Sequence, residues 1–390
     1  MSDERRAWGW IAHLLDGGTT PWQDWREAGE PQTGQTGQPG QLGQLDQVGR
    51  YLPGAQQLEL LRRINLVGRP SAELARQVLD ASAAGRGRPD LELSGVGRRS
   101  SFGPDPVDPG DLPAGELVRV AASILADQLV DSGAPAEVPP GKPAWWRRGY
   151  RLVGDPEIAD DLRAQLIARG RAPGGRRAVV YVCGSDLGTM LGHAWTQRAF
   201  GEGVNAWREW LRALRERREL PPRADLLAAC RVWADRVGKD RVQVVLEPGT
   251  VASLVGERRP LTVPGTVPGE GGELARRVGS VLGLLVRPEE RASLLSSRLR
   301  PRVDASLAGL RGGRPLVVPP AHRDWVEREA ERLRHGIERA GYAVHGDLDR
   351  LLPTWPADID PAHVGPSPDA TLDLAVQVLL TEGQPDRRTA

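Results

Sequence analysis

Cysteine, lysine, phenylalanine and methionine are all scarce in this chain of 390 residues, and net charge is almost absent. The two cysteines, Cys183 and Cys230, have no CxxC neighbour and no nearby histidine pair. That speaks against a zinc site or a disulfide and for free buried thiols in a reducing compartment. Lysine occurs only at Lys142 and Lys239, and arginine fills the other basic positions, a bias that GC-rich codon usage explains. Lys plus Arg is 52 against 51 for Asp plus Glu, so no global field calls for nucleic acid or an anionic membrane. No window approaches the roughly 20 apolar residues that span a bilayer. The N-terminal MSDERRAWGWIAHLL has neither the apolar length nor the cleavage end of a signal peptide. The expectation is a cytoplasmic protein without a membrane segment.

Several chemical motifs are missing too. His13, His193, His322, His335, His345 and His363 show no HxxxH or HExxH spacing, so no metal is expected. No GxGxxG stands in a strand-turn-helix context, and no GxSxG elbow is present. GGTTPW, at Gly17 to Trp22, has no strand before it and no Lys after it, and reads as a turn between short helices.

What is present centres on Ala178 to Gln197, AVVYVCGSDLGTMLGHAWTQ. Ala178 to Cys183 is a continuous apolar run without alternation, which suits a strand buried on both faces of a parallel sheet. Asp186 is a candidate N-cap, with Leu187, Met190, Leu191 and Trp195 following at helical spacing. Strand, polar turn, helix is the unit at which α/β proteins place ligands. Strand signals recur at Tyr150 to Val153 and Val242 to Leu246, between helices over Glu157–Arg169, Trp207–Arg217, Ala224–Val237, Glu273–Leu285, Pro288–Arg298 and Ala321–Ala340. The fold class expected is α/β, a mostly parallel sheet flanked by helices with right-handed crossovers, behind a helical N-terminal region.

The expected division is contiguous. Residues 1–30 carry short helices, with Trp8, Ile11, Leu14 and Leu15 on the face of the first, and Thr20 capping the second. Residues 31–50, rich in Gln and Gly, are expected to be disordered. Residues 51–143 are helical with one strand at Asp90 to Val96 and Pro/Gly loops, residues 144–355 form the α/β domain, and 356–390 are a tail with one helix near Thr371 to Leu380.

From about Tyr150 onward, three stretches carry a family resemblance. They are VVYVCGSDLGTMLGHAWTQ, DLLAACRVWADRVGKDRVQVVLE (Asp225 to Glu247) and VPPAHRDWVEREAERLRHGIERAGYAVHGDLDRLLP (Val318 to Pro353). Their order resembles bacterial sulfotransferase-like proteins of the P-loop fold. The resemblance implies a sulfate donor, PAPS, held by a PKTGTT-type loop after the first strand and by an Arg after the central strand. The place of that loop is taken by Gly154, Asp155, Pro156 and the acidic Glu157, Asp160 and Asp161; the place of the Arg is taken by Ser185. Carboxylates there suit a helix dipole but repel a phosphate. The ligand-binding candidates are therefore Gly154, Asp155, Ser185, Asp186, Thr189 and His193, the last also the nearest candidate for the family's histidine base. No catalytic residue carries over.

The resemblance thus implies a sulfotransferase-like protein without catalysis, acting as a binding or accessory module for a protein partner or small anionic ligand, with no cofactor. One alternative is an active PAPS-dependent sulfotransferase that recruits Arg147, Arg148 or Arg151. Another is a structural or assembly protein. Trp145-Trp146-Arg147-Arg148 and the loop arginines Arg86, Arg88, Arg98 and Arg99 are the remaining basic clusters. An entry strand and ordinary surface arginine explain them without nucleic acid.

Overall fold

The computed structural model describes residues 3–28, 52–81, 90–96, 104–135, 149–175, 177–263, 268–309, 315–355 and 364–382. The 31–50 insert, Arg86, Arg88, Arg98, Arg99 and Trp145 to Arg148 lie outside them.

In chain order the helices begin with α1 (Asp3–Leu15), α2 (Trp22–Glu27), α3 (Ala55–Val67), α4 (Ala72–Asp80) and α5 (Ala114–Ser132). Then come β1 (Tyr150–Gly154), α6 (Pro156–Ala168), β2 (Val179–Cys183), α7 (Leu187–Ala199), α8 (Trp207–Arg217), α9 (Leu226–Val237), β3 (Val242–Val245) and the short α10 (Val251–Leu254). The chain continues through α11 (Gly269–Leu285), α12 (Pro288–Leu294), α13 (Arg300–Gly309), α14 (Pro320–Ala340), β4 (Ala343–His345) and α15 (Pro368–Glu382).

Two compact units result: residues 1–134 with 277–311 and 367–390, and residues 135–276 with 312–366. This differs from a contiguous division. The first unit is helical, and it takes in α12, α13 and α15 because their apolar faces need a partner. Leu372, Leu374, Ala375, Val378 and Leu379 of α15 are buried, and that helix packs on α5, α3 and α13. Several local expectations also change here. The buried face of α1 is Ala7, Trp10, Ile11 and Leu14, rather than one containing Trp8 and Leu15. Trp10 wins because its indole packs on Trp22, ring centres 5.2 Å apart, while its N–H donates to the Thr20 carbonyl at 2.9 Å. Thr20 does not cap α2; its hydroxyl meets His13 Nε2 at 3.1 Å. Asp90 to Val96 forms only a single bridge, Leu93 with Val107.

The second unit contains a four-stranded, all-parallel sheet in the order β1-β2-β3-β4. Strand β4 carried no sequence signal: it is three residues long and half exposed. Alternation sorts the strands' side chains to two faces. Val180, Val182, Val242 and Val244 face a core with Leu187, Met190, Leu191 and Trp195 of α7, Trp207, Trp210 and Leu211 of α8, Leu226 and Cys230 of α9, and Trp325, Ala330, Leu333 and Ile337 of α14. Tyr150, Leu152, Tyr181, Cys183 and Val245 face the other core, with Ile158, Ala159, Leu162 and Leu166 of α6 and Val251 of α10. Both β1-α6-β2 and the β2-to-β3 connection step the same way across the sheet, yet their helices lie on opposite faces. The two connections therefore have opposite hands, and one departs from the right-handed default. The consequence is a cleft position. The chain leaves β1 toward one face and β2 toward the other, so the carboxyl ends of these two strands part there.

Gly154 makes the β1 exit. Its φ is +97°, and an added Cβ would stand 2.2 Å from the Cys183 carbonyl oxygen. Gly170, at φ +72°, has nothing within 4 Å of that position. Gly154→Ala is expected to cost about 3 kcal/mol or more, while Gly170→Ala costs only the left-handed strain of about 1 kcal/mol. Chemical unfolding of both variants checks this; equal losses would contradict the close approach.

Candidate functional site

The site is built around Asp155, the single residue between β1 and α6. Its side chain is fully buried. One carboxylate oxygen, Oδ1, accepts from the backbone N–H groups of Glu157 at 3.1 Å and Ile158 at 3.4 Å, which makes Asp155 the N-cap of α6. Oδ2 accepts the Ser185 hydroxyl at 3.1 Å. His193 Nδ1 lies 2.8 Å from Oδ1 and 3.0 Å from Oδ2. With an ionised carboxylate as acceptor, Nδ1 is the protonated ring nitrogen. A buried carboxylate is tolerable only when donors replace its water, and here one carboxylate gathers donors from β1's exit, β2's exit and α7.

His193 sits two turns into α7, 8 % exposed. Burial pushes its imidazole pKa down. The Asp155 hydrogen bond and charge, with smaller help from Glu157 and Asp186, outweigh burial, and the net direction is up. The Cys183 thiol is pushed up to about 12, by burial first and then by the Asp155 charge, so it stays protonated.

The six candidates fall into two groups. Gly154, Asp155, Ser185 and His193 come together. Asp186 and Thr189 form a separate pair, in which the Asp186 carboxylate accepts the Thr189 N–H at 3.0 Å and caps α7. The acidic residues of α6 do not act as one cluster. Asp161 accepts from Gln165 at 2.7 Å. Asp160 takes a bidentate pair from Arg223 at 2.8 Å and a contact from Arg163 at 2.9 Å.

Arg223 is the functional-site residue that sequence reasoning missed. Its Nε donates to the Gly154 carbonyl at 2.8 Å while its two terminal nitrogens hold Asp160. A cation does reach the end of β1, but its donors are spent on a backbone carbonyl and a carboxylate. The signal that would have found it is only the Asp225 cap two residues later; its partner Asp160 is 63 positions away. Arg151, by contrast, lies three residues back along β1, with its guanidinium over the Trp233 ring at 5.5 Å.

A phosphate loop needs free backbone amides. At the β1–α6 turn each one is used. The Asp155 N–H bonds Cys183 O at 2.9 Å, Pro156 has none, Glu157 and Ile158 bond the Asp155 carboxylate, and the Ala159 N–H bonds Asp155 O at 2.8 Å. The loop expected over Gly154 to Asp161 is thus strand end, cap and helix. Among the described residues, no group of three or more His, Cys, Asp or Glu is placed to hold a metal ion, and no helix is long and apolar enough to cross a membrane.

Fold and site together define an α/β protein with a four-stranded parallel sheet whose first strand exit is held by a buried Asp-His pair and the half-buried Ser185. No protein-family model, no curated protein and no solved structure matches the chain.

Because the His193 pKa is raised in the folded state, its contribution to stability is full below the ordinary imidazole value and is lost as pH rises through the raised one. Urea unfolding from about pH 6 to pH 9 is expected to show this fall in the native protein and a flatter profile in His193→Gln. A parallel pair of profiles would contradict it. Asp155→Ala removes a cap and strands two buried donors, for an expected loss of about 3–5 kcal/mol.

Proposed function

We propose that the protein is a sulfotransferase-like binding module that does not transfer sulfuryl groups. The observation that carries this reading is the use of every backbone amide from Asp155 to Ala159 inside the protein. A sulfuryl donor leaves negative charge on its phosphate as the bond to sulfur breaks, and oriented donors must be waiting for that charge. At the exit of β1 the donors already serve a carboxylate. The nearby cations Arg223 and Arg163 both pair with Asp160. At the exit of β2, Ser185 has given its hydroxyl to Asp155. Ground-state binding of a dianionic nucleotide there would meet Asp155, Glu157 and Asp160 before any free positive group. Like charge at a few ångströms in a partly buried site costs several kcal/mol, on the order of a thousandfold in affinity.

Binding to a protein partner or to a small anionic ligand elsewhere is compatible with this chemistry, and the module needs no cofactor for it. Isothermal titration of the desulfated donor product, adenosine 3′,5′-bisphosphate, into the full chain tests the reading. The expected outcome is no saturable binding that depends on Arg223. Micromolar binding abolished by Arg223→Ala would place the donor at the β1 exit and overturn it.

A further inference from the structure

The two ends of the parallel sheet differ in charge. Asp155, Asp160 and Asp186 lie at the end where the strands finish. Because the sheet is all parallel, the four strands also begin at one common edge. Arg151 is the second residue of β1, Arg177 stands shortly before β2, Arg241 immediately before β3 and Tyr342 immediately before β4. Helices α9 and α14 finish at that edge too, since each leads into a strand there, and they bring Arg236, Lys239 and Arg339. Arg241 is half-buried and the other five cations are exposed. Among the described residues none of them has an ion-pair partner. The carboxylates beside them, Asp235, Asp240 and Glu338, are fewer. Helix dipoles account for Arg236 and Arg339, which complement the ends of α9 and α14. They do not account for Arg151, Arg177 or Arg241, which stand outside the α-helices.

Aromatic rings hold the central cations in place. The Arg151 guanidinium lies over the Trp233 ring at 5.5 Å and the Arg236 guanidinium lies over the same ring at 5.2 Å. Lys239 Nζ lies over the Tyr342 ring at 5.9 Å. Both rings are half-buried and pack against the core of this face, which fixes them. An arginine gripped by a carboxylate is neutralised, as Arg223 is by Asp160. One gripped by a ring is positioned yet keeps its charge and its N–H donors. Its outer plane is also a surface on which a nucleobase stacks. Neighbouring strands lie about 4.8 Å apart, so the four strand starts spread charge over about 14 Å. That is too wide for one small oxyanion and suits a chain of phosphates.

We propose that this edge binds single-stranded nucleic acid. Arg151, Arg236 and Lys239 meet its phosphates, and bases stack on the guanidinium planes over Trp233. The formal net charge of +1 for the whole chain does not oppose this. Screening limits each charge to about 8 Å at physiological salt, so the field at this edge is set by the cations there. An acidic protein segment would match the charge but leave the stacking planes without a partner, and this favours a nucleic acid. The proposal is independent of the β1 exit and stands whether or not the protein transfers sulfuryl groups.

The test is fluorescence anisotropy of fluorescein-labelled oligo(dT) and oligo(U), each about 20 nucleotides long, titrated with the full chain from about 50 to 200 mM salt. Saturable binding is expected, with log affinity falling against log salt at a slope near 0.7 per phosphate contact, or about 2 for three contacts. Arg151→Gln/Arg236→Gln/Lys239→Gln is expected to weaken binding about tenfold or more and to flatten that slope. The three side chains are exposed, so the fold is retained. Arg212→Gln/Arg217→Gln/Arg328→Gln removes the same charge from exposed positions on α8 and the first half of α14 and is expected to leave binding unchanged. Preference for oligo(U) assigns the edge to RNA, preference for oligo(dT) to DNA, and either supports the proposal. Absence of binding at the lowest salt overturns it, as does an equal loss in the control variant. A duplex of oligo(dT) with oligo(dA) binding as tightly as the single strand, or polyglutamate competing as well as unlabelled oligonucleotide, overturns it too.

Discussion

A carboxylate with no access to water governs this structure. Asp155 closes the shortest turn in the α/β unit, from β1 directly into α6. It does so by collecting a pair of helix amides, a hydroxyl from beyond β2 and an imidazole from α7. Desolvating a carboxylate without donors costs several kcal/mol or more. Each donor is therefore obligatory, and each fixes an element. The amides hold α6 against its own strand, Ser185 fixes the turn after β2, and His193 fixes the roll of α7. Gly154 is the backbone counterpart, because only a residue without Cβ lets the turn lie against Cys183.

The same cluster stands where α/β folds leave room for ligands. The connections out of β1 and β2 diverge to opposite faces of the sheet, which in an open sheet creates a crevice. Here the protein's own polar groups occupy that position. Arg223 completes the closure by tying the Gly154 carbonyl to Asp160.

Much of the local structure was legible before any coordinates. Asp186 as the cap of α7 is found where its residue type placed it, at the start of the helix that follows the buried central strand. The stripe Leu187, Met190, Leu191 and Trp195 is buried as its spacing required. The parallel α/β class followed from continuous apolar runs between helical periodicities. Elements whose signal is weak or borrowed were missed. Strand β4 exists only by pairing with β3. Helix α13 continues from α12 through a π-helical turn at Leu295–Leu299, which no composition rule announces. The face of α1 depends on which tryptophan Trp22 meets.

The sequence by itself determined most helix spans, the Asp186 cap and the sheet's parallel character, because those depend on residues within one or two turns of each other. It also placed Gly154, Asp155 and Ser185 near strand ends and His193 on the helix after the central strand. Only the tertiary structure decided that Asp155 meets His193 across 38 positions and that Asp160 meets Arg223 across 63. It alone decided, too, that late helices pack with early ones. Burial changes what a charge does: a run of acids that reads as a repelling loop becomes a cap, an ion pair and a surface hydrogen bond once distant donors arrive.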